Sequence, residues 1–218
     1  MDIIQQTLGT DYAMFYHPSK PITDILPILT YASAQKNINQ WLKDLGKDLS
    51  KWNWGQQDQI SQIMRANWIC QRLPVEPIRK PLLVHKVDNK FQVDCGDTRL
   101  MALTAHNPQS SVSLLVTCAK SQSTLYKDWI LINNGDQLIE LLNFSKDSVI
   151  LTQPTDPNTD YAMLWLEIGD STTAHHLHDM NERIALMQEF LDRQPENFEF
   201  NDCWISCTVD WASYLKTH

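Results

Sequence analysis

The sequence lacks the long apolar runs and the catalytic signatures by which many proteins are classified. No apolar run approaches the roughly 18 residues that a membrane helix needs, and the chain does not open on a basic-then-apolar leader. The P-loop, the GxSxG elbow, the HExxH zinc motif and the glycine fingerprint of dinucleotide-binding folds are missing. We therefore expect a soluble protein without a membrane partner, whose chemistry lies in less familiar patterns.

Positive charge is scarce as well. The 218 residues include 18 Lys and Arg against 26 Asp and Glu, a net charge of −8. General nucleic-acid binding is therefore not expected, because phosphate neutralisation by basic side chains supplies most of its affinity. The basic residues between Arg65 and Lys86 could form a local patch, but we interpret them as a solvated surface.

Cysteine usage argues against a disulfide framework. The five cysteines are an odd number and include no CxxC pair. Cys203 and Cys207 fall in a predicted strand, where their Cα atoms would lie about 13 Å apart, too far for a disulfide. This usage favours a reduced, cytoplasmic protein.

The periodicity of apolar residues predicts an α+β fold in three parts. Residues 1–55 are expected to form an N-terminal helical segment, irregular or extended over 1–23 and then helical up to Gly46. A break at 51–55 precedes a second amphipathic helix that ends before Pro74. A central domain covers 56–152, and a boundary rich in proline and polar residues at 153–158 separates it from a β-α-β extension at 159–218.

The central domain carries most of the predicted strands. Its expected elements are strands at 82–87, 91–94, 112–118, 129–132 and 149–152, and helices after residue 96 and at 136–143. In the extension we expect a strand at 162–168, a helix after Asp179 and a strand at 203–211.

A glycine at a strand-to-helix junction marks the most informative segment. Two predicted strands joined by a turn at Asp88 and Asn89 lead into Gly96, and a helical run follows directly. Glycine lets the backbone turn without conflict from a Cβ atom, and the N–H groups of a first helical turn attract anions. The segment therefore predicts a small anion-accepting corner.

This order of elements is similar to the ParB/sulfiredoxin-like fold over residues 56–120. The residues that carry the resemblance are Pro81 and Val84 on the first strand, Gly96 and Arg99 in a Gly-acid-x-Arg turn, and Ala102 three residues later. The resemblance implies a ParB-like central domain of an α+β protein, with a nucleotide as the ligand of the turn.

In ParB-type proteins the corresponding turn holds nucleotide phosphates. Carried over to this chain, the resemblance implies Gly96 and Asp97 as the cradle and Arg99 as the charged arm. Thr98 stands where the family usually has the first of two arginines, which predicts weaker binding, since a charge-assisted contact contributes about 1.5–3 kcal/mol. The implied function is nucleotide or phosphoryl binding, with a nucleoside triphosphate and Mg²⁺ as the candidate ligand and nucleotide hydrolysis or nuclease activity as the candidate reactions.

The sulfiredoxin branch of the fold fits less well. It needs a cysteine nucleophile inside the turn, at the position of Asp97, whereas Cys95 precedes the glycine. A thiolate at a helix start could be activated, but free cysteine is usually buried, so we expect Cys95 to point into the core.

Other residues offer alternatives. Asp94 and Asp97 could hold a divalent cation, although helix capping is the preferred role for Asp97. His175, His176 and His178 could form the metal site of a hydrolase; we interpret them as a polar loop or helix entrance and commit to no metal. Trp52 and Trp54 could form an exposed stacking platform, although core packing is the preferred role for most of the eight tryptophans. The alternative function is a non-catalytic interaction protein of phage or mobile-element type, with a protein partner.

Overall fold

A mixed six-stranded sheet is the main architectural feature of the protein. The computed structural model describes residues 11–74, 78–142, 149–152, 165–168 and 180–193. The strands of the sheet are β1 (Tyr12–Pro21), β2 (Ile25–Leu26), β3 (Leu82–Val87), β4 (Lys90–Cys95), β5 (Ser111–Ala119) and β6 (Ile130–Ile132). Two further strands, β7 (Val149–Thr152) and β8 (Trp165–Ile168), form an antiparallel pair of their own.

Five α-helices accompany the strands in the described residues. They are α1 (Tyr31–Leu45), α2 (Trp54–Arg72), α3 (Asp97–His106), α4 (Gly135–Leu142) and α5 (Met180–Arg193). The mixture of a sheet with helices confirms the expected α+β class. None of the described helices is both long and apolar enough to cross a membrane.

The strand order of the sheet is β2-β4-β3-β5-β1-β6. The pairs β2–β4 and β3–β5 are parallel, and the pairs β3–β4, β1–β5 and β1–β6 are antiparallel. β4 returns the chain to the end of the sheet at which β3 begins, and α3 connects β4 to β5 at that end. The predicted hairpin is therefore in the interior of the sheet, with its turn at Asp88, which has a positive φ of 54°.

The described residues divide into two units. The first consists of 11–28, 78–97 and 108–142 together with β7 and β8, so it holds both sheets and α4. The second consists of 29–74, 98–107 and 180–193, so it holds α1, α2, α5 and nearly all of α3. Its core includes the fully buried side chains of Ile38, Ile60, Ile63 and Phe190.

Both faces of β1 lie against other parts of the first unit. The sequence predicts an irregular or extended segment over residues 1–23. In the described part of this segment, Tyr12–Pro21 forms strand β1, which lies between β5 and β6. Its run from Ala13 to Tyr16 is buried throughout, as in strands covered on both faces. Pro18 lies at an irregularity of the strand and Pro21 at its end, where a missing N–H is tolerated.

The helix boundaries follow local signals. Gly46 ends α1 with a positive φ of 73°, as its position in the sequence predicts. The break expected at 51–55 is shorter than predicted, because α2 begins at Trp54. Asn53 caps this helix: its side chain accepts a hydrogen bond from the Gln56 N–H at 3.0 Å, and the Gln56 side chain accepts from the Asn53 N–H at 2.8 Å.

Trp52 and Trp54 do not form the exposed platform considered for this segment, and Trp52 has the preferred role of core packing. Trp52 is buried with 3% of its surface exposed, whereas Trp54 is 69% exposed. The Trp52 indole N–H donates to the carbonyl of Gly46 at 3.0 Å, and its ring meets Trp41 edge-on. Trp52 is therefore a core residue, and the two rings do not form one exposed surface.

The described parts of the C-terminal region agree with the elements expected there. β7 covers the predicted strand 149–152, β8 is the described part of the predicted strand 162–168, and α5 follows Asp179. The predicted strand at 203–211 and the histidines at 175, 176 and 178 lie outside the described residues.

Candidate functional site

A β-bulge at the end of β4 shapes the segment before Gly96. Val93 pairs with Val84, but Cys95 pairs with Leu83, so two steps along β4 match one step along β3. The extra residue is Asp94. A bulge of this kind interrupts the alternation of side chains and redirects them, and both Asp94 and Cys95 point to the side of Leu83.

The Asp94 carboxylate lies against His85. The distance between His85 Nδ1 and Asp94 Oδ1 is 2.7 Å, and the two side chains are 28% and 17% exposed. Burial raises the pKa of the Asp94 carboxyl above its ordinary value, while the neighbouring His85 acts in the opposite direction. A partly exposed carboxylate–imidazole pair therefore lies directly before the Gly96 turn.

His85 was not among the site residues predicted from the sequence, although the expected register of the hairpin indicates its contact with Asp94. A two-residue turn at Asp88 and Asn89 fixes the register of the hairpin, so that His85 lies opposite Gln92. Asp94 is then a diagonal neighbour of His85 on the same face, within reach of a long or polar side chain. The register alone would have predicted the pair.

Gly96 occupies the junction expected of it. Its φ is 110°, in the region that favours glycine, and it separates the end of β4 from Asp97, the first residue of α3. A side chain at this position would strain the backbone. The turn is therefore not part of a continuous strand, and residues 94–99 are all partly exposed.

Asp97 ties the start of α3 to an earlier part of the chain. Its Oδ1 accepts a hydrogen bond from the N–H of Ile28 at 3.0 Å. An acidic residue in a first helical turn also complements the helix dipole. The carboxylate therefore has a structural contact with a distant segment, whereas the role expected for it was to cap α3.

The four residues of the predicted site keep their local arrangement. Gly96 and Asp97 join the end of β4 to α3, and Thr98 and Arg99 follow in the first turn of the helix. All four lie in one continuous turn whose geometry is set by β4 and the first turn of α3. Cys95 is partly buried against the apolar cluster that contains Leu83.

Cation binding by Asp94 and Asp97 finds no support in the described geometry. Each carboxylate has a protein donor of its own, His85 and Ile28 respectively. Within the ranges that the structure describes, no group of three or more His, Cys, Asp or Glu could hold a metal ion. Comparison of the chain with protein-family models, with curated proteins and with solved structures gives no match. The ParB-like resemblance therefore stays a prediction.

Proposed function

We propose that the protein binds a phosphorylated ligand, in the first place a nucleoside triphosphate with Mg²⁺, at the turn from Gly96 to Arg99. The observation that carries this proposal is the positive φ of Gly96 at the start of a ten-residue helix. The N-terminus of a helix presents the positive end of the dipole, and a preceding glycine lets an anion approach the backbone closely.

Two side chains of the turn extend this argument. Arg99 lies in the first turn of α3 and is partly exposed, and a guanidinium can bind phosphate oxygens through two parallel hydrogen bonds. Thr98, also partly exposed, adds a hydroxyl but no charge. Because the Asp97 carboxylate is bonded to Ile28, Asp97 contributes through its backbone in this proposal.

Hydrolysis of the bound nucleotide, or nuclease activity of the ParB-like kind, would be a second step. Either reaction needs a general base. The His85–Asp94 pair offers the appropriate chemistry, since a carboxylate on one ring nitrogen orients an imidazole. Binding is the primary proposal and does not depend on this step.

Calorimetry with ATP, GTP, CTP and UTP in the presence of Mg²⁺ tests the proposal. We expect binding of at least one triphosphate, and a loss of about tenfold or more in affinity in Arg99→Gln, the loss expected for one charge-assisted contact. Arg79→Gln is the matched control, because Arg79 is exposed and lies outside the turn. Absence of binding in the wild type, or an equal loss in both variants, contradicts the proposal.

A second candidate function is protein interaction without a ligand. It is favoured by three apolar side chains at and beside β6, the last strand in the described order of the sheet: Leu125 is 51% exposed, Ile130 37% and Leu131 44%. An outer strand with exposed apolar residues can accept a strand from a partner. Co-purification of a partner, together with no response to any triphosphate in a thermal-shift assay, would favour this function over nucleotide binding.

A further inference from the structure

One face of the six-stranded sheet carries a cluster of aromatic rings. Trp129 lies at its centre, with ring centroids 5.1 Å from His17, 5.2 Å from Phe91 and 5.4 Å from Tyr126. Phe15 stacks on Tyr126 at 5.4 Å. We call this side the aromatic face. Phe15, Phe91 and Tyr126 are buried, whereas Trp129 and His17 are partly exposed, so the cluster opens to solvent at one end.

A second β-bulge brings a positive charge to the same end. In a regular strand, His17 and Lys20 would point to opposite faces, because they are three residues apart. β1 instead contains an extra residue between them: His17 pairs with Leu114 and Lys20 with Val112, two residues away on β5. Lys20 therefore shares the face of His17, and its Nζ lies 5.9 Å from the centre of the Phe91 ring.

A second lysine lies on the aromatic face by strand register. Lys86 is directly opposite Phe91 in the β3–β4 pair, and residues directly opposite each other project from the same face. Lys86 is exposed. Lys20 and Lys86 thus place two lysines on the aromatic face, in a chain whose overall charge is negative.

His17 adds a hydrogen-bond donor. Its Nδ1 accepts from the N–H of Ser19 at 3.2 Å, so in the neutral imidazole the proton resides on Nε2. Burial, and then the charge of Lys20, lower the pKa of His17 and favour this neutral form. The open end of the cluster therefore combines a partly exposed indole, an N–H donor and the cation of Lys20, with Lys86 on the same face.

We propose that this end of the aromatic face, around Trp129, His17 and Lys20, is a binding site for a mononucleotide. A planar base suits an aromatic surface, because stacking on an aromatic side chain contributes about 1–3 kcal/mol per base. Two ammonium groups match the double charge of a phosphate better than the single charge of a carboxylate. This proposal is independent of the one made for the Gly96 turn.

Calorimetry with the four common nucleoside 5′-monophosphates tests this site. We expect wild-type protein to bind at least one of them, and Trp129→Leu to weaken that binding about tenfold, the size of one stacking contact. Trp54→Leu is the matched control, because Trp54 is highly exposed and belongs to the other unit. Lys20→Gln should reduce the preference for the monophosphate over the uncharged nucleoside, and Lys43→Gln, a change at an exposed lysine of α1, should leave it intact.

Several outcomes overturn the proposal. They are no binding of any monophosphate, equal weakening in Trp129→Leu and Trp54→Leu, or an aromatic carboxylate that binds as well as the monophosphate. Loss of binding in Arg99→Gln, with none in Lys20→Gln, would assign the nucleotide to the Gly96 turn instead. If Trp129→Leu does not fold, Trp129→Phe and Lys20→Gln, checked by circular dichroism, carry the test, and unchanged affinity in both then overturns it.

Discussion

The two faces of the six-stranded sheet differ in the side chains that cover them. Opposite the aromatic face is one that we call the aliphatic face, where Met14 and Leu115 pack with Leu138 and Leu142 of α4 in a buried cluster. The aromatic face is covered by rings from the segment 126–129 and is partly exposed at one end. A helix thus covers the buried cluster of one face and aromatic rings cover the other, while both faces have partly exposed polar groups.

A bulge changes the side chains of each face. In β4, alternation already places Asp94 on the aliphatic side with His85, and the bulge adds Cys95 to that side, next to the Gly96 turn. In β1 the extra residue brings Lys20 to the aromatic side. A single inserted residue can thus place a side chain on a face that strict alternation would deny it.

The largest expected effect tests whether the aliphatic face is a packed core. Leu138 is fully buried under the sheet, so Leu138→Ala should lower the free energy of unfolding by about 2–5 kcal/mol. Leu131→Ala, at a side chain 44% exposed, should change it by no more than about 0.5 kcal/mol. Urea denaturation measures both, and equal losses would remove the distinction between a closed core and an exposed strand.

A smaller effect is expected from the bulge in β4. Asp94→Ala leaves His85 without its carboxylate partner, which should lower the free energy of unfolding by about 1–3 kcal/mol. Asp94→Asn, which keeps an acceptor oxygen, should lose less. Urea denaturation at neutral pH compares the two. If alanine and asparagine were equally harmful, packing rather than the hydrogen bond would explain the effect.

The smallest effect is a pH dependence on the aromatic face. Because burial, and then Lys20, lower the pKa of His17, the folded protein binds the imidazole proton less readily than the unfolded chain does. Above pH 6.5, the ordinary pKa of histidine, the imidazole is neutral in both states and does not reduce the free energy of unfolding. As the pH falls from 6.5 towards the lowered pKa of His17 in the folded protein, the unfolded chain binds the proton first and the free energy of unfolding decreases.

Wild-type protein should therefore lose stability relative to His17→Gln as the pH falls below 6.5. In a Lys20→Gln background, the pH-dependent difference in stability between proteins with and without His17→Gln should be smaller. The reason is that the charge of Lys20, the second cause of the lowered pKa of His17, is then absent. Chemical denaturation at a series of pH values measures this. A difference that does not vary with pH would show that His17 titrates alike in the folded and unfolded chain.

Much of the fold was predictable because its signals are local. The hairpin of β3 and β4 follows from two β-type runs around Asp88 and Asn89, and the end of α1 follows from Gly46. The junction at Gly96 was likewise visible as a glycine between a strand pattern and a helix pattern. In each case the residues that decide the structure are neighbours in the chain, so propensity and spacing suffice.

Features that depend on distant partners were not predictable in this way. Trp52 and Trp54 are two residues apart and have the same side chain, yet one is buried and the other exposed. The contact between Asp97 and Ile28 spans 69 residues. Neither follows from a local pattern, because burial depends on which segments pack together.

The sequence by itself determined the α+β character, the hairpin register and the glycine junction, since each depends on backbone preferences and periodicity within a few residues. Only the tertiary structure decided that Lys20 meets the ring of Phe91. This contact requires the bulge in β1, and a bulge is defined by a residue that has no opposite partner on the neighbouring strand. That relation exists only once β1 and β5, which are distant in the chain, have paired.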